Sequence, residues 1–172
     1  SSNCLAGTVG EAKGAGPAES GLVKILFLTQ WFSPEPAFKG LPFAKELARR
    51  GHRVEVITGF PNYPGGRLYP GYRVSWRQIE ILEGIPVTRV PLYPSHDQSA
   101  PARAANYLSF AAAAATIGLW SVGEADVVYA YHPPGTILFP AMMLWAMRRV
   151  PFVLDIQDLW PDTLAATGMV AS

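Results

Sequence analysis

Short apolar runs alternate with longer amphipathic stretches along most of the chain. Runs bounded by Gly, Pro or polar residues predict strands over 24–29, 53–58, 72–81, 85–90, 126–131 and 152–156. Stretches of helical length between them predict helices over 40–50, 101–120 and 135–149. Strands that alternate with helices of this length predict an α/β fold with a doubly wound, mostly parallel, Rossmann-like sheet. The last strand is short and apolar, and we expect it in the interior of that sheet.

Local signals support two of these elements. In the first helix Leu41, Ala44 and Leu47 fall on one face, and Gly51 follows as a stop signal. The strands 72–81 and 85–90 are joined around Glu83-Gly84, which predicts a hairpin turn. The first strand, helix and second strand together have the length of a right-handed parallel crossover.

Composition narrows the class of protein. The 172 residues are 49% hydrophobic and 16% charged, with a net charge of +1, which suits one folded domain and gives no support to nucleic-acid binding. The single cysteine, Cys4, has no disulfide partner, which fits a reducing cytoplasm.

The first 22 residues differ from the rest. They are rich in Gly, Ala and Ser, lack an apolar period and do not resemble a signal peptide, so we predict a disordered leader or a misplaced start. The folded domain is then expected over 23–172. Two uncharged stretches, 106–123 and 127–147, raise the question of a membrane. Because His132-Pro133-Pro134-Gly135 interrupts the second, we expect a peripheral contact rather than a span.

Carboxylates follow the last predicted strand. Asp155, Asp158 and Asp162 come where ligands of open α/β sheets bind, outside the carboxyl ends of strands. The alternative is structural: Asp158 or Asp162 caps a helix, and Asp155 anchors a neighbouring loop. No His or Cys accompanies them at ligand spacing, so we predict no metal site.

Lys39-Gly40 precedes the first helix. Free N–H groups at a helix start attract phosphate, Gly40 allows close approach of a ligand, and Lys39 adds charge. The alternative is that Gly40 only suits a turn.

Two further loops and one strand end carry candidate binding residues. His132 closes a strand, where an imidazole can meet a substrate hydroxyl. Asn62 and Tyr63 lie in the aromatic loop 59–66 and can stack on or hydrogen-bond to sugars or lipid headgroups, or else pack the loop on the domain. His96 stands beside Asp97 in a Pro/Ser loop, although adjacent residues rarely face each other.

These segments resemble a known family. KILFLTQWFSPEP from Lys24, the spacing from Gly40 to Val56, His132-Pro133 and DIQDLWP from Asp155 resemble the N-terminal half of retaining family-4 glycosyltransferases of the GT-B fold. GFPNYPGG from Gly59 and VPLYPSHD from Val90 are similar to the bacterial O-antigen and colanic-acid type, including N-acetyl-fucosamine transferases. The resemblance extends over 23–172.

The resemblance implies an acceptor-side Rossmann-like domain, with the nucleotide-sugar domain of the family absent from this chain. It implies catalytic roles for His132 and Asp158, and a donor phosphate loop at Lys39 and Gly40. Gln157 stands where the family has a histidine, which puts any role of that histidine in doubt. The family implies no cofactor or metal.

The expected activity is retaining hexosyl transfer from a UDP-sugar to a polyprenyl-diphosphate-linked saccharide in surface polysaccharide synthesis, at the cytoplasmic face of the plasma membrane. Asn62, Tyr63 and His96 are the expected acceptor-binding residues. This chain alone is expected to be inactive or very weak. Two alternatives stay open: a non-catalytic acceptor- or lipid-binding subunit of a split transferase, and a hydrolase or epimerase on a doubly wound sheet.

Overall fold

The computed structural model describes residues 21–95 and 99–157. They form a six-stranded sheet of β1 Lys24–Thr29, β2 Arg53–Gly59, β3 Gln78–Leu82, β4 Ile85–Val90, β5 Val127–Tyr131 and β6 Phe152–Asp155. The helices are α1 Leu41–Arg49, α2 Ala100–Ala113, α3 Leu119–Ser121 and α4 Leu138–Arg148. The predictions for the leader, His96, Asp158 and Asp162 concern residues outside the described part of the chain.

The strand order is β3-β4-β2-β1-β5-β6. All neighbouring strands are parallel except β3, which pairs antiparallel with β4. The chain moves outward from β1 through β2 to β4 and then returns to place β5 on the other side of β1. The strand order therefore reverses between β1 and β5, and their carboxyl ends mark the usual ligand position in such sheets.

Helices cover both faces of the sheet, which confirms the predicted doubly wound fold. On one face α1 packs through Ala44, which is fully buried, and through the partly buried Leu41 and Leu47, so its predicted apolar face is confirmed. On the other face α2, α3 and α4 cover the sheet, with Phe110 and Leu144 at the centre of that core.

Two predictions about the strands are wrong. The strand predicted from residue 72 begins at Gln78 because Tyr72 instead lies in the preceding loop, with its ring 4.8 Å from the Arg89 guanidinium carbon. Its turn is as predicted: Glu83 and Gly84 both have positive φ, at 47° and 85°, which is the backbone of a type I′ hairpin. The strand predicted as interior, β6, lies at the edge of the described sheet, and Val153 is half exposed.

The helical segment predicted over 101–120 is confirmed, but it is not α-helical throughout. A π-helical turn, Ala114–Gly118, joins α2 to α3. A Cβ on Gly118 would lie 3.1 Å from Cγ2 of Ile57, which is tighter than ordinary van der Waals contact, so the turn packs closely on β2 there.

Two buried charges hold the loops that follow β1 and β2. Glu35 is 4% exposed, and its carboxylate accepts hydrogen bonds from the main-chain N–H groups of Asn62 and Tyr63 at 2.8 Å and of Phe32 at 3.2 Å. Burial raises the pKa of the Glu35 carboxyl, although the three N–H donors and the Arg89 charge act in the opposite direction.

Arg89 of β4 completes this network. Its side chain is fully buried and donates to Glu80 Oε1 at 2.5 Å and to the main-chain oxygens of Gly59 at 3.0 Å and Ser33 at 2.5 Å. A buried guanidinium with this many acceptors is compensated for its lost hydration. The two charges therefore tie the loop after β1 to the loop after β2.

We predict that Glu35→Ala lowers the free energy of unfolding by about 2–4 kcal/mol, because three main-chain N–H groups lose their buried acceptor. Glu83→Ala is the matched control: Glu83 is 61% exposed in a surface ion pair, so its loss should cost less than about 1 kcal/mol. Urea unfolding at neutral pH measures both values. Equal values for the two variants would contradict the structural role of Glu35.

Candidate functional site

A cleft opens at the reversal of strand order. His132 follows β5 directly and lines this cleft with Arg103 and Tyr107 of α2 and with Thr136, around a volume of about 600 Å³. This volume lies within the range of about 300–1,000 Å³ that is common for small-molecule sites. The position of His132 at a strand's carboxyl end is as the sequence predicted. We call this the His132 cleft.

His132 is tied to β6 through its main chain. Its main-chain N–H donates to the Asp155 carbonyl at 3.0 Å, which continues the β5–β6 ladder by one residue. Its Nδ1 is buried and has no hydrogen-bond partner among the described residues. A Cβ on Gly135 would lie 3.9 Å from Nε2, which is an ordinary van der Waals contact.

Aromatic side chains from three segments meet near the cleft. The ring of Trp31, just after β1, lies 4.8 Å from that of Tyr63 and 6.4 Å from that of Tyr107, measured between centroids. Tyr63 comes from the loop after β2 and Tyr107 from α2. Such rings offer the flat, amphipathic surfaces on which sugars stack. Of the three rings only Tyr107 lines the His132 cleft, and the predicted Tyr63 lies next to it through its contact with Trp31.

Asn62 lies in a buried amide chain beneath these rings. It is 2% exposed, donates to the Phe60 carbonyl at 2.9 Å and lies 3.4 Å from the Asn106 amide nitrogen. Asn106 in turn accepts from Gln30 at 2.6 Å. Direct contact of the Asn62 side chain with an acceptor needs an exposed amide, so the structure assigns Asn62 to ordering the loop.

A second group of site residues lies on the α1 face of the sheet. The Lys39 ammonium forms an ion pair with the Asp155 carboxylate and donates to the Tyr129 hydroxyl at 2.8 Å. Asp155 also accepts from Tyr129 at 2.5 Å and from the Gln157 amide at 2.6 Å. Asp155 therefore anchors the loop before α1, which confirms the structural alternative for this residue.

Aromatic rings surround this ion pair. The Lys39 ammonium lies 5.4 to 5.9 Å from the ring centroids of Phe43, Tyr129 and Tyr131. The Asp155 hydrogen bond, followed by that of Tyr129, raises the pKa of Lys39. For Asp155 burial acts to raise the pKa, but the Lys39, Tyr129 and Gln157 hydrogen bonds outweigh it and lower the pKa below its usual value.

Gly40 is buried at the start of α1, next to this group. A Cβ there would meet the Ala37 Cβ and carbonyl oxygen at 3.5 Å, which is ordinary van der Waals contact. Phosphate binding at Gly40 and Lys39 stays a prediction. Because Lys39 already has a carboxylate partner, a bound phosphate would compete with Asp155 for it.

The two groups meet along the ends of β5 and β6. Lys39 and Asp155 lie on the α1 face, while His132 and Tyr107 lie on the α2 face, and the bond from the His132 N–H to the Asp155 carbonyl connects them. Sequence reasoning did not find Arg103, Tyr107 or Tyr129 as site residues. The spacing of Arg103 and Tyr107, one helical turn apart in an otherwise Ala-rich stretch, was the available signal.

Neither a metal cluster nor a membrane span is found within residues 21–95 and 99–157. In these ranges no group of three or more His, Cys, Asp or Glu side chains is arranged to hold a metal ion. None of the helices described there combines the length and apolar character that crossing a bilayer requires.

Comparison with known proteins shows the family to which the chain belongs. A family model described as glycosyl transferase 4-like domain matches residues 41–171, about three-quarters of the chain. This match includes α1, the loop after β2, α2 and His132. No curated protein sequence matches the chain significantly.

We predict that Lys39→Met raises the pKa of Asp155, because the ammonium is lost while the carboxyl stays partly buried. In the unchanged protein the pKa lies below the usual 3.8, so the ion pair stabilises the fold above that pH. This stability is lost as the pH falls through the lowered folded value. Carboxyl ¹³C NMR titration measures the shift.

Lys24→Met is the matched control, since Lys24 pairs with the exposed Glu124 at 3.0 Å and makes no contact with Asp155. This variant should leave the Asp155 titration unchanged. A Lys39→Met protein with an unchanged or lower Asp155 pKa would show that the ion pair does not control the carboxyl.

Proposed function

We propose, since the chain belongs to the glycosyl transferase 4-like domain family, that it supplies the acceptor side of a retaining hexosyltransferase. The transferred sugar would come from a UDP-sugar, and the acceptor would be a polyprenyl-diphosphate-linked saccharide used in surface polysaccharide synthesis of the O-antigen or colanic-acid type. The observation that carries this proposal is the His132 cleft at the reversal of strand order, which is lined by the His132 imidazole, the Arg103 guanidinium and Tyr107, with Trp31 and then Tyr63 packed next to Tyr107.

The roles follow from the side chains present. Trp31, Tyr63 and Tyr107 offer stacking surfaces for a saccharide, and Arg103 offers a cation for a phosphate. His132 would hydrogen-bond to an acceptor hydroxyl or to the sugar in transfer. Its contribution is then orientation and charge stabilisation at the reacting centre. Asp158 stays a proposed catalytic partner from its place in the motif, and His96 a proposed acceptor contact.

The Lys39–Asp155 ion pair supports a separate role for the α1 face. Lys39 and Gly40 are the proposed donor phosphate loop, and the ion pair holds this loop against the end of β6. In this proposal the donor phosphates approach from the α1 face and the acceptor from the α2 face, with the reacting centre near the ends of β5 and β6.

A membrane contact is proposed on α4. Its outer surface exposes Phe139, Met142, Trp145 and Met147, each at least 47% exposed, and ends in Arg148 and Arg149. Exposed apolar and aromatic side chains beside cations suit the surface of a bilayer with anionic lipids. This contact would place the enzyme at the cytoplasmic face of the plasma membrane.

Acceptor binding tests the proposal. We predict that the chain binds a water-soluble, short-chain diphosphate-linked N-acetylglucosamine at least about tenfold more tightly than it binds UDP-N-acetylglucosamine, measured by isothermal titration calorimetry. Tyr107→Ala should weaken acceptor binding about five- to tenfold through lost stacking. Tyr93→Ala, an exposed tyrosine that does not line the cleft, is the control. Tighter binding of the UDP-sugar would contradict an acceptor-side role.

His132 is tested in a transfer assay on the full gene product. We predict that His132→Ala lowers kcat for transfer of labelled sugar by about 10²-fold or more, with little change in acceptor affinity. Acceptor binding without transfer by the unchanged product would favour the non-catalytic subunit. Release of free sugar from the UDP-sugar, lost in His132→Ala, would favour a hydrolase.

The membrane contact is tested by flotation with vesicles of phosphatidylcholine and phosphatidylglycerol, and with phosphatidylcholine alone. We predict that the chain floats with the anionic vesicles and that Met142→Glu abolishes this binding. Ile81→Glu, at a 72% exposed position on β3, should float normally. Loss of binding in both variants, or in neither, would contradict the proposed α4 surface.

A further inference from the structure

An apolar groove continues from the His132 cleft between α2 and α4. Its lining is formed by Leu108, Ala111, Ala112, Thr136 and Phe139, around a volume of about 420 Å³. Thr136 also lines the His132 cleft, and its hydroxyl donates to the Tyr107 carbonyl at 3.4 Å, so the two spaces share one wall. Among the described residues, no charged side chain lines the groove.

The groove is exposed apolar surface. Leu108 is 60% exposed and Phe139 is 54% exposed, while Ala111 between them is buried and forms the floor. Two large side chains that flank the buried Ala111 make a groove rather than a flat patch. Apolar surface of this kind marks a binding site for apolar groups.

The charges beside the groove indicate the kind of ligand. Arg103 lines the adjoining cleft one helical turn before Tyr107, and it has no ion-pair partner among the described residues. An anionic group at Arg103, a polar group at His132 and a hydrocarbon chain along Leu108 and Phe139 would satisfy all three surfaces together. The ligand chemistry is therefore that of an amphiphile that carries an anionic group, a polar group and an apolar chain.

We infer that the α2–α4 groove holds the first isoprenoid units of the acceptor's polyprenyl chain, with the diphosphate at Arg103. This inference rests on the proposed function, which supplies the acceptor class. The isoprenoid units next to the diphosphate are then bound by the protein. The acceptor is therefore recognised by its lipid as well as by its sugar.

Calorimetry with farnesyl diphosphate and with inorganic pyrophosphate tests the groove without any transfer reaction. The unchanged chain should bind farnesyl diphosphate at least about tenfold more tightly than pyrophosphate, because only the former fills the groove. Arg103→Gln should weaken the binding of both ligands. Equal affinity for the two ligands would overturn the inference.

Ala112→Trp fills the groove and should weaken farnesyl diphosphate binding about tenfold while leaving pyrophosphate binding unchanged. Ala105→Trp is the matched control, because Ala105 is an exposed alanine of α2 that lines neither space. An unchanged farnesyl diphosphate affinity in Ala112→Trp, or an equal loss in Ala105→Trp, would overturn the inference.

Further measurements distinguish a lipid-binding groove from a dimer contact. They also separate failure of the groove inference from failure of the transferase proposal. If sedimentation shows a dimer that Ala112→Trp dissociates, the groove is a contact between copies and the inference is wrong. If farnesyl diphosphate binds as expected while the full gene product transfers no sugar, the groove stands and the transferase proposal fails. If sugar is transferred equally to prenyl-free acceptors and Ala112→Trp changes nothing, the transferase proposal stands and the groove fails.

Discussion

The buried carboxylate of Glu35 is the interaction on which the loops after β1 and β2 most depend. An ionised group inside a protein is tolerated only when hydrogen bonds and an opposite charge replace its hydration. Glu35 accepts from N–H groups of both the loop after β1 and the loop after β2, and Arg89 of β4 donates to the main chain at Ser33 in the first loop and at Gly59, the last residue of β2. Neither loop can move far without leaving a buried charge unsatisfied.

The Glu35 hydrogen bonds also fix the positions of the aromatic residues Trp31 and Tyr63. Trp31 comes directly before Phe32, whose N–H donates to Glu35, and Tyr63 donates to Glu35 itself. Their stacking therefore follows from the main-chain positions that the carboxylate fixes. On the α1 face of the sheet a second charge pair, Lys39 and Asp155, holds the far end of the same loop after β1 among aromatic rings. The site is thus framed by two loops and a strand end, each held by compensated charge.

Much of this arrangement was predictable from sequence, and the reasons differ by residue. The apolar runs of β1 and β4 and the amphipathic pattern of α1 are local signals. His132 was placed correctly because predicting β5 is enough to place the residue that follows it. The edge position of β6 depends on strand order, which a short apolar run does not encode. Asp155 looked like a ligand of the site, but its partner Lys39 lies 116 residues away in sequence. Tyr107 and Arg103 were missed because only packing shows which face of α2 meets the segment after β5.

The apolar groove and the outer surface of α4 are adjoining surfaces that share one residue. Phe139 belongs to both, since it flanks the groove and lies at the start of the exposed face that continues through Met142 and Trp145. A polyprenyl chain that remains partly in the bilayer can enter the groove only from the side that faces the lipid. The groove opens on the helix surface that carries the apolar side chains, and the cation of the adjoining cleft lies at the opposite end of the groove, towards the start of α2. The same surface would therefore hold the protein on the membrane and orient the acceptor so that its sugar reaches His132.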